Sequence, residues 1–270
     1  IRSDGREYGS LVVFSSMERR ERLLLEHSAA EANSALIGFL PGAEAAGKAY
    51  RVGGFLDPCL SGSGDFFDVF PAGEGKTAFY GLDVMGHGVI ASLMAFSLHD
   101  LLPAIGESGS GRETSPAEVL RSLYDRYGGK GTIGATFFTI AYGVIDNATG
   151  EYNVVRGGYT PVLHLEAGGR LHVHYTKGAA VGIMNEVEIE EAQGFLGPGP
   201  RLLVLSDGLL EAFNGDGLLD KAIERISAFA DGYRAAGIEA FVDAFRRRSR
   251  EMSEGKARED DVSLLVIERK

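Results

Sequence analysis

The chain is 270 residues long, 44% hydrophobic and 24% charged, which is enough apolar material for a buried core and excludes wholesale disorder. Its 27 Lys and Arg against 38 Asp and Glu leave a formal charge of −11. That balance argues against nucleic acid as a partner, since the one basic run, Arg246, Arg247, Arg248 and Arg250, falls on a predicted helix as a solvated face.

In chain order, Asp4-Gly5 marks a turn and 11–14 is a short apolar strand. A charged helix is predicted over 17–39, stopped by Pro41-Gly42. Its Leu25, Ala29, Ala32, Leu36 and Phe39 recur at spacings of four and three. This suits a coiled-coil seam and equally an amphipathic helix packed on its own domain. Strands follow at 50–55, 65–70 and 77–84, then helices at 89–102 and 116–127. The second helix has a clear start: Ser115 as N-cap, Pro116 at the first position and Glu118 reaching back. A strand over 135–145, the turn 146–150 and a strand over 152–155 form a hairpin. Another joins 162–165 to 171–175 through Ala167-Gly168-Gly169. A strand at 201–205, helices at 218–230 and 238–252 and a last strand at 262–267 complete the chain. Hairpins in succession and helices in pairs predict an α+β layered fold, not an alternating parallel one. A lone Cys59, no apparent apolar run near the ~18 residues of a membrane span and no signal peptide predict a cytoplasmic protein with no membrane contact in this segment. The first residue is Ile, so the chain reads as a piece of a longer protein.

Chemistry is suggested by aspartates at strand ends. Asp83 ends one apolar run and Asp207 another; Asp65 opens a strand, and Asp260 and Asp261 stand just before one. A carboxylate at the end of a buried strand is poorly solvated, and several converging ends would need cations, for which oxygen-rich sites suit Mg²⁺ or Mn²⁺. Each position taken singly could be an ordinary turn aspartate beside glycine. His172 and His174 share one strand face, but with no third ligand in view they predict an exposed hairpin. Gly128 to Thr132 lacks the step of a phosphate loop, His87 reads as a structural turn residue, and Cys59 has no partner pattern for nucleophilic catalysis.

The segments Gly64-Asp65-Phe66-Phe67-Asp68, Asp83-Val84-Met85-Gly86-His87-Gly88, Ser206-Asp207-Gly208 and Asp260-Asp261-Val262-Ser263 together resemble the metal-dependent serine/threonine phosphatases of the PPM (PP2C-like) superfamily, in the SpoIIE/RsbU-type bacterial branch. Two departures stand out. The family's Gly-Gly-Asp is here Gly62-Ser63-Gly64-Asp65, and Gly157-Gly158-Tyr159 replaces an Ala-Gly-His. The resemblance implies a four-layer αββα sandwich of two antiparallel sheets flanked by helices and preceded by an N-terminal helix. It also implies two divalent ions, Mn²⁺ or Mg²⁺. Asp83 would bridge them, the Val84 carbonyl would join one, Asp207 and Asp260 the other, and Asp65 the second metal directly or through water. Asp68 and Asp261 would be outer-shell groups, and Asp83 and Asp207 the catalytic pair. The implied chemistry is in-line hydrolysis of phosphoserine or phosphothreonine by a metal-activated water.

Residues 4–7, 11–14 and 17–22 look like the end of a PAS sensor domain entering a signalling helix. The implied division is a sensor remnant over 1–16, a linker helix over 17–41 and a phosphatase domain over 42–270. The expected substrate is a STAS-type anti-anti-sigma protein in a partner-switching stress or developmental pathway, with a homodimer formed through the N-terminal helix. The competing reading is a catalytically silent domain that binds a partner, and the full set of core aspartates argues against it, because an idle carboxylate cluster is costly.

Overall fold

A computed structural model describes residues 37–38, 40–41, 49–59, 62–86, 88–106, 114–128, 137–184, 187–214, 218–252 and 260–270. The expected strand at 11–14, almost all of the helix over 17–39, the PAS-like segment and His87 lie outside these residues.

The described elements, in order, are β1 (Tyr50–Asp57), β2 (Asp65–Pro71), β3 (Lys76–Val84), α1 (Val89–Gly106), α2 (Pro116–Tyr127), β4 (Phe138–Asp146), β5 (Glu151–Gly157), β6 (Val162–Leu165), β7 (Leu171–His174), β8 (Glu191–Phe195), β9 (Arg201–Leu205), α3 (Asp207–Phe213), α4 (Leu219–Gly232), α5 (Ile238–Met252) and β10 (Val262–Arg269). Two antiparallel sheets result, ordered β1-β10-β9-β6-β7 and β2-β3-β4-β5-β8. Three apolar clusters make four layers of them. One, with Phe66, Tyr80, Leu98 and Leu120, joins the second sheet to α1 and α2. Another, with Leu203, Leu210, Phe241 and Val266, joins the first sheet to α3, α4 and α5. Between the sheets lie Phe67, Phe79, Val204 and Leu265. Strands buried on both faces read as near-continuous apolar runs, which is why Arg201–Leu205 and Val262–Arg269 stand out in the sequence.

The capping box of α2 forms as its residues predict. Glu118 N donates to Ser115 Oγ at 3.2 Å, and Ser115 N donates to Glu118 Oε2 at 2.9 Å. The expectation of no membrane-length run needs correcting. Helix α1 spans 18 residues at a mean hydropathy of 1.6, long and apolar enough to cross a membrane by length and composition. Here it packs Ala91, Ala95, Leu98 and Leu102 against the second sheet, and Val89, Ile90 and Leu93 remain exposed. Two elements had no sequence signal: the edge strand β8 and the short helix α3, which begins at Asp207-Gly208.

The β6–β7 hairpin also differs from expectation. Val162 pairs with His174 and His164 with His172, so the histidines share the face that looks toward Tyr152 of β5. The Tyr152 hydroxyl lies 3.0 Å from His164 Nδ1 and 2.7 Å from His174 Nε2, and His172 Nε2 lies 2.5 Å from Glu166 Oε1. These partners draw the strand into the fold, so it is half-buried, not exposed. His164 is buried, and burial first, then the charges of His174 and His172, pushes its pKa from 6.5 down to about 4. The unfolded chain therefore binds this proton more readily than the folded one. The stabilising effect of a neutral His164 is complete above pH 6.5 and is lost as pH falls toward 4. The melting temperature should drop over that window, and less steeply for His164→Asn, which keeps a polar group for Tyr152. Parallel curves for the two proteins would contradict this account.

Candidate functional site

Strand periodicity decides which aspartates face the gap between the sheets. On β3, Ala78, Tyr80, Leu82 and Val84 pack toward α1 and α2, so Phe79, Gly81 and Asp83 face the other sheet. On β2, Phe66 and Phe70 take the helix side, which turns Asp65, Phe67 and Val69 inward. Asp65 and Asp83 are direct cross-strand partners, an arrangement that like charge opposes. From the opposite sheet, β10 turns Ser263 inward, with Asp260 and Asp261 just before the strand. Asp207 is the first residue of α3, at the end of β9. A cleft of about 360 Å³ opens here, walled by Asp83, Asp207, Thr139, Arg156, Tyr159 and Thr160.

The electrostatics are those of crowded negative charge. Asp65 is 1% exposed and its Oδ2 has no hydrogen-bond partner. Burial, then Asp83, Asp261 and Asp207, holds its carboxyl well above the ordinary range. Asp83 is pushed up to about 7 by burial, then by Asp207, Asp260 and Asp261. Among the described residues no three His, Cys, Asp or Glu groups gather at ligand spacing.

The donor set nevertheless fits hard divalent cations: every candidate is an oxygen, and the surplus charge and the orphaned Asp65 Oδ2 are what such ions offset. Val84 brings its carbonyl beside Gly64, where a Cβ would stand 2.5 Å from that oxygen, so the loop can pass only as glycine. Val84 N donates to Gly64 O at 3.1 Å and ties the two segments together.

Asp261 and Asp68 part company. Asp261 accepts from Cys59 N at 2.8 Å, Ser63 Oγ at 2.8 Å and Gly64 N at 2.9 Å, which fixes the loop that delivers Asp65. Asp260 Oδ1 accepts from Asp261 N at 2.8 Å. Asp68, expected in the outer shell, lies three residues from Asp65 and hence on the opposite face of β2. There its Oδ2 is 3.5 Å from His99 Nδ1 on α1, and that nitrogen is 2.9 Å from the Tyr80 hydroxyl. It belongs to the packing of α1, not to the cleft.

Arg156, Tyr159 and Thr160, which wall the cleft, had not been singled out as site residues. The Gly157-Gly158-Tyr159 departure was the one signal pointing there.

Two stacked antiparallel sheets flanked by helices, with acidic residues at one end, are the architecture of the PP2C-like fold. The chain belongs to the SpoIIE family: residues 73–270 match the family described as Stage II sporulation protein E. It is 27% identical over 153 residues to the phosphoserine phosphatase RsbP of Bacillus subtilis, covering 55% of this chain and 37% of that protein. To protein IcfG of Synechocystis it is 26% identical over 185 residues, 60% of this chain and 29% of that one. The chain thus spans about a third of the length of these curated relatives. Among solved structures, the SiaA-PP2C domain of Pseudomonas aeruginosa matches with a TM-score of 0.73 at 17% identity, over 94% of this chain and 99% of that one. The PP2C phosphatase domain of SpoIIE from Bacillus subtilis, solved with a fragment of its regulatory domain, matches with 0.70 at 21%, over 81% and 63%. At these identities the likeness speaks for the fold.

Proposed function

We propose that the chain is an active phosphoserine/phosphothreonine protein phosphatase dependent on two divalent ions, Mn²⁺ or Mg²⁺. The carrying observation is the direct pairing of Asp65 with Asp83 across β2 and β3 in a cleft that Asp207 also walls. Asp65, Asp83, the Val84 carbonyl, Asp207 and Asp260 would hold the ions. When bound, such ions lower the pKa of a coordinated water and so supply a nucleophile at neutral pH. The remaining work belongs to the chain itself. Asp261 holds Cys59, Ser63 and Gly64 in place, so that Asp65 and Val84 stay together. Arg156 places a cation on the cleft wall, its head held by the Tyr159 carbonyl at 2.6 Å and the Thr176 carbonyl at 2.7 Å. Its Nε has no hydrogen-bond partner, and a fixed guanidinium suits an arriving phosphoryl dianion.

A STAS-type anti-anti-sigma protein is the proposed substrate and the cytoplasm the proposed compartment. RsbP, named as a phosphoserine phosphatase, supports the phosphoserine specificity. A homodimer through the helix over 17–39 is part of the same reading; sedimentation of the wild type and Leu36→Glu checks it.

The test of activity is hydrolysis of p-nitrophenyl phosphate and of a phosphoserine peptide with Mn²⁺, with and without chelator. Metal-dependent turnover of both is expected. Mn²⁺ uptake with no turnover of either would favour the silent, partner-binding reading, and preference for nucleotides over the phosphopeptide would favour a small-molecule phosphohydrolase.

A further inference from the structure

The arginine run on α5 is only in part the solvated face that the sequence suggests. A cavity of about 540 Å³ opens beside the helix, and Arg246, Arg247 and Arg250 line it together with Asp243 and Tyr233. Arg246 and Arg247 each stand three or four residues from both Asp243 and Arg250, so these four share one side of α5. Arg248, the remaining member of the run, is outside the lining, with its Nη1 3.5 Å from Glu251 Oε2. The cavity shares no lining residue with the cleft at Asp83.

Two of the three guanidiniums are held in place from behind. Asp57, the last residue of β1, has a side chain only 7% exposed. Arg246 donates to its Oδ1 through Nε at 3.0 Å and Nη2 at 2.6 Å. Arg250 donates through Nε to Oδ2 at 2.9 Å and through Nη2 to Oδ1 at 3.0 Å. Burial opposes ionisation of Asp57, but the bonds from the two arginines outweigh it and hold the carboxyl below the ordinary range. Arg246 is steadied further by the Phe55 ring, whose centre lies 5.7 Å from its guanidinium carbon. Each of these heads is thus fixed through Nε and Nη2, and its Nη1 makes no hydrogen bond among the described residues. Arg247 has no ion pair or hydrogen bond among the described residues, although Asp243 is one helical turn away.

Three guanidiniums outnumber the two carboxylates, Asp57 and Asp243, which makes the cavity a positive island on a chain of net charge −11. A guanidinium fork matches the oxygens of a phosphoryl group, and heads already fixed lose little rotamer freedom on binding one. The overall negative charge disfavours an extended polyanion such as nucleic acid, whereas a concave site of this volume is in the range of small-molecule sites. We propose that this cavity binds the phosphoryl group of a small molecule, a nucleotide or free phosphate, with Arg246 and Arg250 as fixed prongs and Arg247 as the third donor. The site lies outside the acidic cleft, and the proposal does not depend on the metal-phosphatase reading.

The experiment is calorimetric titration of inorganic phosphate, ADP and GDP into the full chain at low salt, after a chelating resin has removed metal so that the acidic cleft repels these anions. Saturable binding that weakens as salt is added is expected. Arg247→Gln and Arg250→Gln should each weaken it by about tenfold, the usual effect of losing a hydrogen bond to a charged group. Arg248→Gln removes the same charge from the same helix outside the cavity and should bind as the wild type does. Tighter binding of ADP or GDP than of phosphate assigns the site to nucleotides, and equal binding assigns it to the free ion. No binding by the wild type, wild-type affinity in both Arg247→Gln and Arg250→Gln, or an equal loss in Arg248→Gln would overturn the proposal. Binding of a polyglutamate peptide without binding of phosphate, ADP or GDP would overturn it in favour of an acidic protein partner.

Discussion

Asp83→Asn is expected to reduce turnover by roughly a thousandfold or more, since metal-ion catalysis supplies several kcal/mol and each 1.4 kcal/mol is a factor of ten. Asp83 faces Asp65 across the ladder and feels Asp207, Asp260 and Asp261 as well, so of the candidate ligands it is coupled to all the others. Asn keeps the volume and removes the charge. The same change should not harm the fold. Burial and three neighbouring carboxylates already oppose ionisation of Asp83, so the metal-free variant should melt at or above the wild-type temperature. Activity lost with stability kept is the signature of a residue selected for chemistry at the expense of packing. Rates near wild type for Asp83→Asn at saturating Mn²⁺ would remove Asp83 from the centre.

Arg201→Leu should have the largest effect on stability, a loss of about 3–5 kcal/mol, as is usual when one partner of a buried ion pair is removed. Arg201 is 3% exposed and its Nε lies 2.7 Å from Glu268 Oε2. Its Nη2 donates to the Ala236 carbonyl at 2.5 Å and its guanidinium lies 4.6 Å from the centre of the Phe241 ring. One side chain thus joins β9 and β10 to the turn between α4 and α5. Arg51 also meets Glu268, at 2.8 Å, but its side chain is 54% exposed, so water weakens its compensation for the lost partner. Urea unfolding of the two proteins measures the difference, and a loss under 1 kcal/mol would show the pair to be dispensable.

Much of this was legible because local rules and the final fold agree. The capping box at Ser115, the turn after Asp146 and the apolar runs of β9 and β10 carry their own signals, and the four acidic segments carried the family resemblance. Strand β8 was not legible. Its Glu-Ala-Gln-Gly-Phe has little apolar content and takes its form from pairing with β5. The glycine in it is required by Tyr152, whose ring occupies the space a Cβ at Gly194 would need, and that contact joins residues 42 apart. The Tyr152–His164–His174 cluster was illegible for the same reason, since it is made by strands of different sheets. Asp68 shows the opposite case: alternation along β2 was already enough to put it on the wrong face from Asp65.

The order of strands in the first sheet sets a schedule for synthesis. Its second position belongs to β10, whose Arg269 lies opposite Tyr50 and whose Glu268 lies opposite Arg201. While the chain emerges from the ribosome, β1 therefore waits through some two hundred residues with no neighbour to bond, and β9 lacks its inner partner until β10 is free. Asp261, which clamps the loop in front of Asp65, arrives in the same late stretch. The second sheet can assemble earlier, but the acidic end of the cleft cannot be completed before β10 has emerged. A nascent chain stalled short of β10 would have exposed strand edges, a target for chaperones, and an unfinished cleft.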